Sequence, residues 1–412
     1  MLKLITDRYP ALTFSLYRRY WLASLGSVGG WQIAAVAMGW LVFDLSGSVL
    51  DLGILGAAMA LPAIVMTMVG GVIADRFEKR SVLLMTTWLQ ILVLVLLACL
   101  DAFGLISVVQ IWLLAAVIST VTGIDGPTRQ AFFPHLINRD ALLSAVALNS
   151  VLWQLTRMVV PAVAGLVIAA FNTALVFSLA ALGYLVMLIV LLRISLRLPG
   201  IQGSSPLSQI MEGLRFIVIN PLFRNLILLC YASMFFLSAY QQLMPAFADL
   251  LGAGPKGFGL LMSASGVGSI VGTVISGAIN PGPRYGRTML AAAAFSTVML
   301  SAFAVSTMLP SYSLALLFVL FSAAGLSVFL ILSATALQFE VPDQLRGRVL
   351  GIHTITYSLM PLGALLIGAL AEAYGTPLAM LIGLVGYTFI WIGLGASAAI
   401  RQLEQPHGGS DS

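Results

Sequence analysis

Residues 50–101 read LDLGILGAAMALPAIVMTMVGGVIADRFEKRSVLLMTTWLQILVLVLLACLD. Two apolar runs, 50–74 and 82–101, flank a short loop that holds Arg76, Lys79 and Arg80. A helix needs about 20 apolar residues to cross a bilayer, and each run supplies them. The runs are continuously apolar, without the period-2 alternation of a barrel strand. Lipid offers no partners to backbone N–H and C=O groups, so both segments are expected to be helices.

The pattern extends outward over the whole chain. Further apolar segments fall at 20–43, 105–125, 141–169, 172–193, 222–247, 257–279, 287–308, 312–337, 347–371 and 376–400, making twelve spans. The composition agrees: of 412 residues, 60% are hydrophobic and 8% charged. A soluble domain carries roughly 25% charged residues, so a water-soluble globule and a disordered chain are both excluded. The expected fold is an all-α polytopic membrane protein. Residues 1–20 carry Lys3, Asp7, Arg8, Arg18 and Arg19 and no compact apolar core, so no cleavable signal peptide is expected.

Charge orients the spans. Eighteen of the 20 Lys and Arg residues fall before span one, in alternate loops or after span twelve. Lys256 alone lies in the other loops, and Arg157 lies within span five. By the positive-inside rule both termini are expected in the cytoplasm of a plasma or inner membrane. This placement also accounts for the net charge of +5 without a nucleic-acid partner.

A polar stretch near 194–221 divides the chain, with six spans on each side. The expected organisation is a bundle over 1–195, a cytoplasmic linker over 196–221 and a second bundle over 222–412. In the linker Leu207, Ile210, Met211, Leu214, Ile217 and Val218 recur at helical spacing, the pattern of an amphipathic helix on a membrane surface. The halves repeat weakly. Leu52-Gly53 matches Phe258-Gly259, and Gly71 matches Gly277, both offset by 206; Gln130 and Pro134 match Gln338 and Pro342, offset by 208. Duplicated halves of this kind build many secondary transporters, which rock about a site near mid-membrane.

The loop after span two, Gly71-Val-Ile-Ala-Asp75-Arg76-Phe-Glu78-Lys79-Arg80-Ser-Val-Leu83, resembles the signature loop of the major facilitator superfamily, G-x-x-x-D-R-x-G-R-K-x-x-L. Glu78 stands where the second Gly is usual. Three further stretches, Gly126–Ile137, Met211–Arg224 and Val341–Val349, are similar to the branch that contains the enterobactin exporter and macrolide-efflux proteins. The resemblance implies twelve helices in two six-helix repeats and export of amphipathic small molecules, driven by protons. It also implies that Gly71, Asp75, Arg76, Lys79 and Arg80 form a conformational latch. Physically, Asp75 can face the positive end of a neighbouring helix, and Arg76 and Arg80 can pair with acids or lipid headgroups. Pro161 and Gly165 in span five partly match the antiporter motif, with Val160 where Gly is expected.

Inside the membrane, Arg157 sits near the middle of span five, where a charge costs at least a few kcal/mol unless it faces a cavity or a partner. Asn149, Trp153 and Arg157 share one helix face. Arg157 is read either as a cargo-binding cation or as a tether to backbone carbonyls. Trp31 and Gln32 in span one, and Tyr240, Gln241 and Gln242 in span seven, occupy equivalent places as cavity candidates. His353 and Tyr357 share a face of span eleven, and a histidine there titrates near neutral pH. No acidic residue sits near mid-membrane, so Asp44, Asp125 and His353 are the candidates for proton coupling. No metal cluster or cofactor is expected, and no GxxxxGK[ST] loop is present. A monomer in contact with lipids is expected. Import of a nutrient is the alternative reading. A lipid-modifying membrane enzyme is a remote one, since the three histidines lie in different regions.

Overall fold

The computed structural model describes residues 9–196, 214–279, 282, 284–309, 311–342, 345, 349, 351–353, 355–395 and 397. Among them twelve helices are long and apolar enough to span a membrane, and there is no strand. They are α1 Ser15–Ser46, α2 Val49–Arg76, α3 Lys79–Ala102, α4 Val108–Phe132, α5 Leu142–Ala170 and α6 Thr173–Arg193. The series continues with α7 Pro221–Leu237, whose span runs on to Gln241, α8 Gly254–Gly277, α9 Tyr285–Met308, α10 Tyr312–Glu340, α11 Met360–Tyr374, the main part of a span that begins at Gly351, and α12 Thr376–Gly395. Most of the linker helix expected over 207–218 lies outside the described residues.

Local chemistry sets the helix ends. Ser107 and Gln110 form a capping box at the start of α4. The Asn172 side chain caps α6 by accepting from the Leu175 N–H, and Pro221 opens α7 behind Asn220. Gly47 and Gly375 close α1 and α11 with φ of 63° and 79°, a region that favours glycine.

Three elements depart from expectation. Span four was expected to end at 125, but α4 runs through Pro127 to Phe132. Neighbouring helices in a membrane protein support a proline within a helix, and α2 crosses α4 tightly here: a Cβ on Gly123 would lie 2.7 Å from the Met66 Cβ. Arg129 therefore sits inside a spanning helix and not in a loop. Span seven is broken: α7 ends at Leu237, a tight turn covers Ala239–Gln241, and a short helix resumes over Met244–Leu250. Span eleven is broken as well. Residues 351–353 are helical, Ile355–Leu359 form a tighter 3-10 turn, and α11 proper begins at Met360. Each break packs on the other helix, the Ala239–Gln241 turn on α11 and the Ile355–Leu359 turn on α7.

The chain forms two compact units. The first comprises Met1–Gly47, Ala57–Ser204 and Gly254–Ser263. Within it α1 packs on α5 and α6, and α3 packs on α4 and α6. Apolar helices gain little by burying one another from lipid, so small residues and polar ties carry the association. Gly26 and Gly30 bring α1 against α6. A Cβ on Gly26 would lie 3.0 Å from the Gly183 carbonyl oxygen, and one on Gly30 would lie 2.8 Å from that of Ala180. Tyr17 and Trp21 donate to the Ala145 and Leu148 carbonyls of α5, each at 3.1 Å.

The second unit comprises Ser48–Gly56, Ser205–Ala253 and Ala264–Ser412. Within it α9 packs on α10 and α12, and α7 packs on α11 and α12. A reciprocal pair of serine hydroxyls, Ser296 and Ser322, ties α9 to α10 through each other's carbonyls at 2.9 and 3.1 Å. The opening turns of α2 thus belong to the second unit and those of α8 to the first. These segments are the ones related by the 206-residue repeat offset.

Candidate functional site

The loop between α2 and α3 is built on α6. Arg80 forks its Nε and Nη2 onto the Leu191 and Leu192 carbonyls, each at 3.1 Å, in the last turn of α6, where the Leu191 carbonyl also accepts from the Ile194 N–H. The expectation paired this residue with acids or headgroups; its fork is engaged by backbone instead. Lys79 is buried at the first position of α3, and Arg76 is exposed. Gly71 and Asp75 fall within α2, their side-chain placement outside the described set. Arg80→Ala is expected to cost about 1 kcal/mol, read as a lower thermal midpoint in mild detergent. Arg80→Lys recovers only a fraction of it, because an ammonium lacks the fork.

On α5, Asn149, Trp153, Arg157, Pro161 and Gly165 recur every four residues and form one ridge. Pro161 and Gly165 are buried. A Cβ on Gly165 would lie 2.9 Å from the Gly259 Cα in the opening turns of α8. Ser263 of α8 accepts from the Ala162 N–H at 2.9 Å. Asn149, Trp153 and Arg157, on the same ridge, are exposed. One end of the ridge is covered by protein, and the other presents a polar and aromatic surface that includes a guanidinium at mid-helix.

Trp31 of α1 stands edge-to-face on Trp153, centroids 6.1 Å apart. One residue along, Gln32 is buried and donates to the Thr156 hydroxyl at 2.7 Å. Gln32 therefore ties α1 to α5 and does not face the open surface; Thr156, at the same depth on the facing helix, takes up its amide. In the second unit Tyr240 is fully buried, its hydroxyl 2.8 Å from that of Ser265. Gln241 and Gln242 are half-buried at the break after α7, with Gln242 beside Gly56. His353 and Tyr357, read as one face, differ in environment. Residues 351–353 are helical and Ile355–Leu359 are 3-10; His353 is buried and Tyr357 54% exposed.

The sequence matches the family model of transmembrane secretion effectors, a family of the major facilitator superfamily, over residues 6–406. The chain belongs to that family. This transporter is similar to the enterobactin exporters of Shigella boydii and Escherichia coli, 28% identical over 358 residues, covering 81% of this chain and 84% of theirs. It is also similar to the staphyloferrin A transporter of Staphylococcus aureus, 23% identical, covering 92% and 96% of the two chains. Two solved structures share the fold. A bacterial homologue of the human lysosomal transporter Spinster superposes with a TM-score of 0.75 at 13% identity, over 96% of this chain and 98% of that one. A bacterial homologue of the iron transporter ferroportin superposes with a TM-score of 0.73 at 16% identity, over 93% and 99%. Family and relatives are transporters, not enzymes.

A second polar cluster of this transporter escaped the sequence reading. Asp125 and Arg129 form a salt bridge one turn apart on α4. Thr86 of α3 donates to Asp125 at 2.8 Å, and Arg129 reaches Ser27 of α1 at 3.3 Å. Tyr20 hydrogen-bonds to Arg129, and Tyr184 of α6 stands within electrostatic reach of both charges. The signal was present as an acid and a base at i and i+4, but ending the span at 125 hid it. Of the three coupling candidates, Asp125 is thus engaged by a cation and a hydroxyl, and Asp44 is exposed in the last turn of α1. His353 is buried, and its Nε2 has no hydrogen-bond partner among the described residues.

Proposed function

We propose that this transporter exports an amphipathic, anionic small molecule of the siderophore kind by alternating access, in exchange for protons. It works as a monomer in the plasma or inner membrane, with both termini in the cytoplasm and with bundles 1–195 and 222–412 moving about the linker. The observation that carries the reading is the ridge of α5. A guanidinium stays charged at any relevant pH, and exposure to lipid at that depth is costly. The surface bearing Asn149, Trp153 and Arg157 is therefore a polar path, and Arg157 supplies its cationic contact. Trp153, braced by Trp31, offers an aromatic face to the apolar portion of the cargo. The names of the enterobactin and staphyloferrin relatives support the cargo class.

The test compares small molecules inside and outside cells with and without the gene. Export predicts a compound retained inside the deletion strain and lost from its medium. A compound left unconsumed in the medium instead makes the protein an importer. With the cargo in hand, Arg157→Ala is expected to fold and to lower its transport at least tenfold. Arg157→Lys is expected to restore a fraction of that rate. If Arg157→Ala abolishes the folded protein and Arg157→Lys restores folding and full transport, Arg157 is a tether and the cargo contact lies elsewhere.

A further inference from the structure

We infer that His353 is a proton-binding site that sets the conformation of the break in span eleven. The inference uses the exporter reading for the purpose the proton serves; the binding itself stands apart from the cargo. His353 is 6% exposed, and its Nε2 meets no hydrogen-bond partner among the described residues. Buried polar groups are nearly always paired, so a solitary ring nitrogen calls for an explanation. It lies where the helix is interrupted. The Ile352 carbonyl accepts from the Tyr231 hydroxyl at 2.9 Å, and the His353 carbonyl accepts from the Thr356 hydroxyl. Two side chains thus take up carbonyls at the break. A short 3-10 stretch within a helix of this kind often marks a hinge.

Among the described residues a proton on Nε2 meets no acceptor. On α7, Tyr231 has its hydroxyl engaged by the Ile352 carbonyl, and Cys230, the residue before it, is buried. Arg224 lies two turns back along α7 and is exposed. Glu340 closes α10 with interactions of its own, and Tyr387 of α12 is bound to Ser233. On its own span Tyr357 is exposed. Among the described residues no carboxylate hydrogen-bonds to Nε2. A second ring proton adds a donor and a full charge that the buried arrangement does not receive. The protonated form therefore favours a rearranged break in which the ring reaches water or an acceptor. Proton uptake on falling pH shifts the break one way and release returns it, which is a two-state element biased by a ligand.

The measurement needs no cargo. The chain holds three histidines, His135, His353 and His407, and His135 is exposed. In full-length protein carrying His135→Gln and His407→Gln, His353 is the sole imidazole. Its nitrogen-15 shifts are followed across about pH 5 to 9, alongside hydrogen exchange of peptides covering 345–360 corrected for intrinsic exchange. The expected result is one titration whose midpoint coincides with a step in exchange confined to that segment. His353→Gln is expected to abolish the step while the protein stays folded. A ring that stays neutral throughout overturns the proposal, as does a step that survives in His353→Gln or has a different midpoint. Should His353→Gln fail to fold, coincidence of the two midpoints decides. Failure here leaves the exporter reading untouched, and failure of the metabolite comparison leaves this measurement standing.

Discussion

Arg129→Ala is expected to remove most of the folded protein from the membrane. The substitution leaves the Asp125 carboxylate buried beside α1, α3 and α6 without its cation, and breaking a buried pair by removing one partner costs about 3–5 kcal/mol. That is a large share of the stability of an ordinary domain. Asp125→Ala is expected to cost nearly as much, since it strands the guanidinium with only Ser27 and Tyr20 for company. The double change Asp125→Leu/Arg129→Met removes both charges and keeps the volume, and it is expected to recover most of the folded yield. Size-exclusion profiles of tagged protein in mild detergent read all three. If Asp125→Ala folds at wild-type yield and loses only proton-driven transport, Asp125 is the coupling acid and the pair is not a structural tie.

The double variant isolates what the cluster does for this fold. Thr86, Ser27, Tyr20 and Tyr184 converge on the pair from three other helices of the same unit. A neutralised ion pair with its hydrogen bonds filled draws those helices to one depth, which apolar contacts between helices in lipid do poorly. Loss of both charges is therefore expected to leave α1 and α6 held by their glycine contacts and α3 by its packing on α4 and α6, with a lower thermal midpoint.

The twelve spans were legible because length and hydropathy are the whole requirement for crossing a bilayer. Hydropathy averaged over a span carries no information on continuity, which is why the breaks in spans seven and eleven were missed: the polar residues at them, Tyr240-Gln241-Gln242 and His353-Thr354, were read as cavity candidates or passed over. Each had a local signal, since Pro245 and Pro361 open the helices that resume after the breaks. The extension of α4 was missed for the opposite reason. Gly126-Pro127 reads as a stop in water, and only the close crossing of α2 permits the helix to continue. Within the site, the α5 stripe was legible because its residues lie on one helix at fixed spacing. The partners of Gln32 and Tyr240 were not legible, because Thr156 and Ser265 lie on other helices and no spacing relates depths on separate helices.

The repeat offset gained its meaning from packing. Gly259 and its counterpart Gly53, 206 residues earlier, are both points of backbone contact. A Cβ on Gly53 would lie 2.7 Å from the Leu365 Cα, and one on Gly259 would lie 2.9 Å from the Gly165 Cα. Neither contact has a flexible side chain that can yield, so alanine at either place must push the facing backbones apart. Overpacking of this kind costs about 1–3 kcal/mol. The α5–α8 joint also carries the Ser263–Ala162 hydrogen bond, and beside it Trp40 of α1 stacks on Phe258 of α8 at 5.9 Å. Gly259→Ala is therefore expected to leave the protein folded, with transport per folded molecule lowered at least tenfold because the joint no longer closes. Gly183→Ala is the contrast. It sits in the long α1–α6 crossing, where its Cβ would lie 2.8 Å from the Gly26 carbonyl carbon and closer still to the carbonyl oxygen. It is expected to lower the thermal midpoint far more than Gly259→Ala does. If the two substitutions lower the midpoint equally, and transport per folded molecule is unchanged in Gly259→Ala, the joint is fixed packing and the moving contact lies elsewhere on α8.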